Sequence, residues 1–448
     1  MFRAGLAVAL LAGSVTGAEA DLLYAWSQYD RAGAPIVRAI VDAGDACPLL
    51  AASTGRVRLE LRAQTPPPGF EEVAVCEGVL PEGATTASIE DFSVPMPVLS
   101  PQRVVVLGDT GCRVKGGEVQ NCTGEGIGPA WNFAGIAAVA AGEDPELVIH
   151  VGDFHYREYT AACGANCDPA NLGFTWQSWK VDFFEPARPL LAAAPWIPIR
   201  GNHEDCTRAW RGWFYFLDPG PVPEGPWPAA CPSSEMGEDH PDWFYTGPYA
   251  IEFGAQRVVV MDTSYLQHDY DPTPDAAAVA RYRDEFDAVA RLVGGDSRAV
   301  WLLTHRPIWA VASASGECDC APLASVTDLT LQTALTESSG APFPGQLPAS
   351  VTAVISGHIH LSERLVFSDG RPPQLVFGAG GTKLDPDLGT TSGLNADTQS
   401  ALSALKADPE GFIWSDQFEY GLMNASAPGW NVALRNLSGQ TTARYALP

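Results

Sequence analysis

Short apolar runs that stop at a glycine or a polar residue punctuate the chain from residue 103 onward. Arg103–Leu107, Leu147–Val151, Ile197–Arg200, Arg257–Met261, Ala299–Leu303 and Val351–Ile355 each read as a short buried strand. Between them, Ala130–Ala141, Leu172–Leu191 and Ala276–Val293 read as helices, the last following an Asp-Pro-Thr-Pro turn at 271–274. Strands alternating with helices predict an α/β fold over residues 101–448. Before residue 100 the pattern differs. Val57–Arg62 alternates with period two, and Ile36–Val41 and Val73–Val75 add strand-like pieces, which predicts a small all-β domain over 21–100. Pro95, Pro97 and Pro101 mark the linker between the two. Residues 206–248 are rich in Pro, Gly and Trp and lack periodicity, as expected of a lid or substrate wall. Phe418–Met423, Trp430–Leu434 and Ala443–Leu447 return to strand character and are expected to complete a sheet.

Composition narrows the setting. Residues 1–20 read as a secretory signal: Arg3, an apolar run over Leu6–Val15 too short to span a membrane, and an Ala18-Glu19-Ala20 cleavage site. The expected location is therefore periplasmic or extracellular. All ten cysteines follow that segment, which suits an oxidising compartment. The expected local disulfides are Cys47–Cys76, Cys112–Cys122 and Cys206–Cys231. Cys163, Cys167, Cys318 and Cys320 are left to cross-link between loops or, alternatively, to hold a structural zinc. A formal net charge of −26 argues against nucleic acid and against an anionic membrane surface as partners. No stable membrane insertion is expected, and oligomeric state is not legible.

The strand ends carry the chemistry. Val106-Leu107-Gly108-Asp109 delivers Asp109, and Val151-Gly152-Asp153-Phe154-His155-Tyr156 delivers Asp153 and Tyr156. Gly201-Asn202-His203-Glu204 delivers Asn202 and His203, Thr304-His305 delivers His305, and Gly357-His358-Ile359-His360 delivers His358 and His360. Open α/β sheets bind ligands at the carboxyl ends of their strands. Any one of these endings alone reads as a turn; their conjunction in one α/β unit does not. Two carboxylates, three imidazoles, an amide and a phenol suit iron, zinc or manganese. Seven donors exceed what one ion needs, so two ions are implied.

The blocks D-x-G, G-D-x-x-Y, G-N-H-[DE], V-x-x-H and G-H-x-H occur in this order over residues 109–360, with Leu302 where the fourth block usually has Val. His305-Arg306-Pro307 and Gly378-Ala379-Gly380-Gly381 add to the likeness. The chain resembles the calcineurin-like metallophosphoesterases and, among them, the purple acid phosphatases. The resemblance implies a four-layer α/β/β/α sandwich and a first ion held by Asp109, Asp153, Tyr156 and His360. The second is held by Asp153, Asn202, His305 and His358, and Fe(III) with Fe(II), Zn or Mn are the implied metals. Gly111 stands where many relatives carry a histidine ligand; Tyr156 is the replacement, with His155 as its competitor. His203 is left as the catalytic residue, donating a proton to the leaving group, and Glu204 is a candidate to orient it. The implied activity is hydrolysis of a small phosphomonoester by a metal-bound hydroxide. The alternative is a phosphodiesterase acting on nucleotides or lipid headgroups. A non-catalytic binding module on the same fold is the minor one.

Overall fold

The computed structural model describes residues 21–447 apart from 129, 159–162, 224, 230–244, 266–272, 296, 313–324, 327, 340–344, 386–387 and 391–392. The expected signal segment, residues 1–20, lies outside the described residues.

Two sheets face each other. The ten-stranded sheet has Arg103–Leu107, Leu147–His150 and Trp196–Pro198 in parallel at its centre. The seven-stranded sheet has Gln256–Val260, Ala299–Leu303, Val351–Ser356 and Gln374–Phe377 in parallel. Alternation along each strand divides its side chains between two cores. Val104, Val106, Ile149 and Ile197 pack between the sheets against Val258, Trp301, Leu303 and Ile355. Val105, Leu107 and Val148 turn the other way, onto helices Phe133–Ala141 and Glu185–Leu191. Across the molecule Val259, Val300, Leu302 and Val354 face helices Ala276–Val293, Leu329–Glu337 and Ala396–Ala404. The result is the expected α/β/β/α sandwich. Leu302, the departure from the fourth block, is fully buried in the outer core, where one branched aliphatic replaces another.

Other expectations change in detail. Strands Leu22–Tyr29, Pro35–Asp42 and Val73–Val79, from the segment read as a small all-β domain, extend the ten-stranded sheet. The join is a parallel pairing of Gln28 with Trp196. The run Val57–Arg62 is not one strand. It breaks at buried Leu59, with Gly55–Arg58 paired to Leu49–Ala52 and Glu60–Leu61 paired to Val73–Val79. The three C-terminal strands complete the other edge of the same sheet, as expected.

Part of the expected lid is core instead. Trp210–Leu217 is helical, and Trp213, Phe214, Tyr215 and Phe216 are buried beneath the ten-stranded sheet. Aromatic side chains of this size bury far more apolar area than a lid could expose without cost. Tyr215 Oη donates to Val73 O at 3.0 Å, and Trp213 Nε1 donates to Asp218 Oδ2 at 3.2 Å, so their polar ends are satisfied there.

Cys47–Cys76 and Cys112–Cys122 are bonded as expected. Cys206 is also in a disulfide, while Cys231 lies outside the described residues. Cys163 pairs with Cys167, which corrects the cross-loop and zinc readings for those two. The turn Gly164–Asn166 brings their Cα atoms to 5.6 Å, within the range a disulfide spans. Cys318 and Cys320 lie outside the described residues. Among the described residues no helix is long and apolar enough to cross a membrane.

One buried acid outside the strand ends sets a pH dependence. Glu363 is buried on strand Ser362–Leu365, accepts from Val311 N at 3.1 Å, and is pushed by burial from 4.5 up to about 8. Its protonated form suits the folded state, so its contribution is full below pH 4.5 and is lost as pH rises through about 8. Glu363→Gln should match the wild type near pH 5 and become the more stable protein by pH 9. The gap should grow by up to ~1.4 kcal/mol per pH unit across that window. Chemical unfolding across pH measures it, and parallel pH profiles would refute it.

Candidate metal centre

The loops that follow the five central strands converge at the seam between the sheets. Asp109, Asp153 and His358 sit there with φ of 55°, 57° and 72°, the left-handed region that side chains other than glycine seldom occupy. Each follows a glycine that lets backbones close up. A Cβ on Gly152 would lie 2.8 Å from Gly201 Cα, and one on Gly357 would lie 3.3 Å from Val151 O. Backbone bonds then lock the turns, with Asp109 N donating to Gly152 O at 2.9 Å and Gly357 N to His305 O at 2.9 Å. His358 N donates to Asp109 Oδ2 at 2.9 Å, which ties one sheet to the other.

All seven expected donors meet, in two groups that share Asp153. Tyr156 Oη lies 3.1 Å from Asp109 Oδ1, 2.5 Å from Asp153 Oδ2 and 2.9 Å from His360 Nε2. Asn202 Oδ1 lies 2.8 Å from His305 Nε2 and 2.8 Å from His358 Nδ1, and Asp153 Oδ1 is 3.3 Å from His305 Nε2. Ligating atoms of Asp109, Asp153 and His360 fall within 4.8 Å of one another, as do those of Asp153, His305 and His358. His155 is elsewhere. Its Nε2 lies 2.9 Å from Ser178 Oγ, and its ring packs on Phe174 and Trp179. Gly111 makes room for the phenol: a Cβ there would lie 2.6 Å from Tyr156 N and 2.9 Å from Tyr156 Cδ2.

A cation fits both groups. A phenol has one proton, so it can donate to only one of the three acceptors around Tyr156 Oη. His305 Nδ1 is 2.8 Å from Val151 O and donates to it, which leaves the Nε2 lone pair facing two oxygens. Burial alone would lower the His305 imidazole, but Asp153 outweighs it and carries His305 up to about 9. Without a metal, a proton therefore stands where a cation would. Burial raises both carboxylates. His305 and His203 pull Asp153 well below the usual range, and Asp109, beside that ionised neighbour, stays well above it. Burial and the two carboxylates likewise keep the Tyr156 phenol protonated in the absence of a cation.

A supporting layer surrounds these groups, and sequence reasoning missed most of it. Glu204 does not orient His203. Its carboxylate accepts from Asp153 N, Phe154 N, His155 N and Gly201 N at 2.9–3.2 Å, filling the turn that carries Asp153. Glu158 approaches His203 instead, with Oε1 2.9 Å from Nδ1. Asp182 accepts from Tyr156 N, Cys112 N and Arg157 Nε, each at 2.8 Å, and so fixes the backbone of Tyr156. Its place beside Phe183 and Phe184 on a buried helical face was the available signal for it. His203 stacks on Tyr156, ring centroids 3.8 Å apart, and donates its backbone N–H to Asp153 Oδ1 at 2.8 Å.

Residues 102–362 match the family model described as calcineurin-like phosphoesterase. The chain belongs to that family. The calcineurin-like phosphoesterase fold binds a dinuclear metal site, and the two Asp/His groups fit one. Among solved structures, the purple acid phosphatase PPD1 from seeds of yellow lupin (Lupinus luteus) is 14% identical with a TM-score of 0.53. The match covers 95% of this chain and 74% of that one. The structure described as PhoD is 12% identical, also with a TM-score of 0.53, over 94% of this chain and 88% of the other. At such identities these likenesses concern the fold. No curated protein matches the chain.

Glu204 gives a sharp test of how this calcineurin-like site is held. Glu204→Ala would leave four buried N–H groups without their acceptor, at roughly 1–3 kcal/mol for each that water does not reach. Denaturant unfolding should show a loss of at least ~2 kcal/mol. A stability equal to the wild type would mean that the turn carrying Asp153 stands without the carboxylate.

Proposed function

We propose that the protein is an exported dinuclear-metal phosphatase that hydrolyses small phosphomonoesters. One observation carries this reading: Tyr156 Oη closes on Asp109, Asp153 and His360 while Asn202 Oδ1 closes on His305 and His358, with Asp153 common to both. In this reading Asp109, Asp153, Tyr156 and His360 hold the first ion, and Asp153, Asn202, His305 and His358 the second. A phenolate is a hard anionic donor, which favours Fe(III) at the first position, with Fe(II), Zn or Mn at the second. When bound, the ions polarise the phosphoryl group and activate a water for in-line attack. Export is supported by the disulfides of the described residues and by the signal-like first twenty residues.

The chain's own groups set the rest of the mechanism. Asp153 places one carboxylate between the two sites, so both ions are fixed by one turn. Asn202 supplies a neutral oxygen, which adds a donor without adding charge to a site already holding two carboxylates. His203 lies beside this centre without joining either group, and we assign it proton donation to the leaving alcohol. In the metal-free chain burial lowers its imidazole well below 6.5 and raises Glu158, whose Oε1 lies 2.9 Å from its Nδ1.

His203→Asn should keep both metals and lose turnover, by ~10²-fold or more on an alkyl phosphate and much less on p-nitrophenyl phosphate. Equal losses on the two esters would refute the proton-donor role. A wild-type protein that hydrolyses bis(p-nitrophenyl) phosphate in preference to the monoester would move the reading to a phosphodiesterase. Hydrolysis of neither by the metal-loaded protein would leave a binding module.

The first metal has a separate test. Tyrosinate on ferric iron absorbs visible light by charge transfer, so the oxidised protein should be coloured. Tyr156→Phe should abolish the band and weaken the first ion while leaving the second in place. A colourless, active, iron-free enzyme indifferent to Tyr156→Phe would overturn the iron assignment.

A further inference from the structure

We infer that the segment Gly378–Asp385 is part of the first metal's site, and that Asp385 is the residue that positions His360. This rests on the ligand set proposed above. The segment lies beyond the residues that match the family model, which end at 362, and outside the five sequence blocks.

Its glycines are explained by where its backbone runs. A Cβ on Gly378 would lie 2.0 Å from Ile359 O, one on Gly380 2.3 Å from Gly108 O, and one on Gly381 2.5 Å from Thr110 O. The strip therefore passes between the turn that carries Asp109 and the turn that carries His360, with no room for a Cβ at any of its three glycines. Gly380 N donates to Gly108 O at 3.1 Å and Thr382 N to Asp109 O at 2.8 Å, so the strip is laced onto the Asp109 turn. Gln120 Nε2 donates to Gly381 O at 3.0 Å from the outside.

The strip ends on His360. Asp385 N donates to His360 O at 3.1 Å, and His360 N donates to Asp385 Oδ2 at 2.9 Å. The other carboxylate oxygen, Oδ1, lies 3.6 Å from His360 Nδ1, while Nε2 points into the centre, 2.9 Å from Tyr156 Oη. A neutral imidazole carries one proton. Asp385 draws it to Nδ1, which leaves the Nε2 lone pair for the ion, and a carboxylate behind the ring raises its strength as a donor. Asp385 is thus a positioning residue that acts through His360.

The test isolates the first site by working in the His305→Ala/His358→Ala protein, which lacks both imidazoles of the second group, and reads Zn(II) affinity by chelator competition. Asp385→Ala should weaken zinc by ~10–100-fold, the usual effect of losing such a partner. Asp385→Asn, which keeps an oxygen for His360 N, should lose less and covers the case in which the alanine variant fails to fold. The metal-free melting temperature should not move in Asp385→Asn, whose amide oxygen keeps the bond from His360 N, which separates positioning from a structural role. Zinc affinity within twofold of the parent in both variants would overturn this inference alone. A parent that binds no zinc would overturn the proposed ligand set, and this inference with it.

Discussion

Two carboxylates forced into one dry seam are the constraint around which this molecule is arranged. Asp109 and Asp153 are both buried at the junction of the sheets, and neither can move toward water without unpicking the turns that hold them. Like charges at such a site cannot both ionise unaided, and the pair divides into one lowered and one raised acid. The surrounding groups answer that problem in layers. His305 contributes positive charge when no metal does, Asn202 adds a donor without charge, and backbone N–H groups from His358 and His203 point at the carboxylate oxygens. Two cations would be the fuller solution, since in the proposed ligand set they would neutralise both acids and take up the lone pairs of three imidazoles at once.

Holding this arrangement requires local conformations that the chain would not otherwise choose. Three non-glycine residues of the centre are left-handed, and each such residue costs on the order of 1 kcal/mol or more. Asp tolerates that region better than His does, so His358 is the most demanding of the three. The sandwich makes up the deficit. The turns hang from strands whose every central side chain is buried, and the cross-sheet bonds of His305 Nδ1 to Val151 O and His358 N to Asp109 Oδ2 act only when both sheets are in place. Fold and site are therefore coupled: a defect in either sheet is felt first where the two meet.

How much of this the sequence disclosed follows the same physics. Strands at 103, 147, 299 and 351 were legible because burial on both faces makes them continuous apolar runs, and the side chains that converge at the seam were legible as candidates because each follows such a run within a few residues. The edge strands were harder, since Leu59 breaks a period-two pattern by turning from one sheet to another. Trp210–Phe216 misled because Pro- and Gly-rich surroundings look like a loop, while the aromatic content that buries it carries no period. Glu204, Asp182 and Asp385 were illegible as partners because their roles are set by contacts across 51, 26 and 25 residues of chain. Spacing rules do not reach that far.

The same layering bears on how a strongly acidic protein takes an anionic substrate. With a net charge of −26 and two buried carboxylates, the site without cations would repel a phosphate at every distance. Of the basic groups around the centre, Arg113 and Lys383 pair with Glu118 and Arg208 with Glu158 and Asp205, while Arg306 reaches the centre itself, its Nη1 3.4 Å from His358 Nε2. In the proposed reading, affinity for a phosphoryl group would arise at contact range, from the ions with Arg306 beside them. Glu158 and Asp205 would then meet any second anionic group on a substrate held there, and a neutral or cationic alcohol would be the better fit.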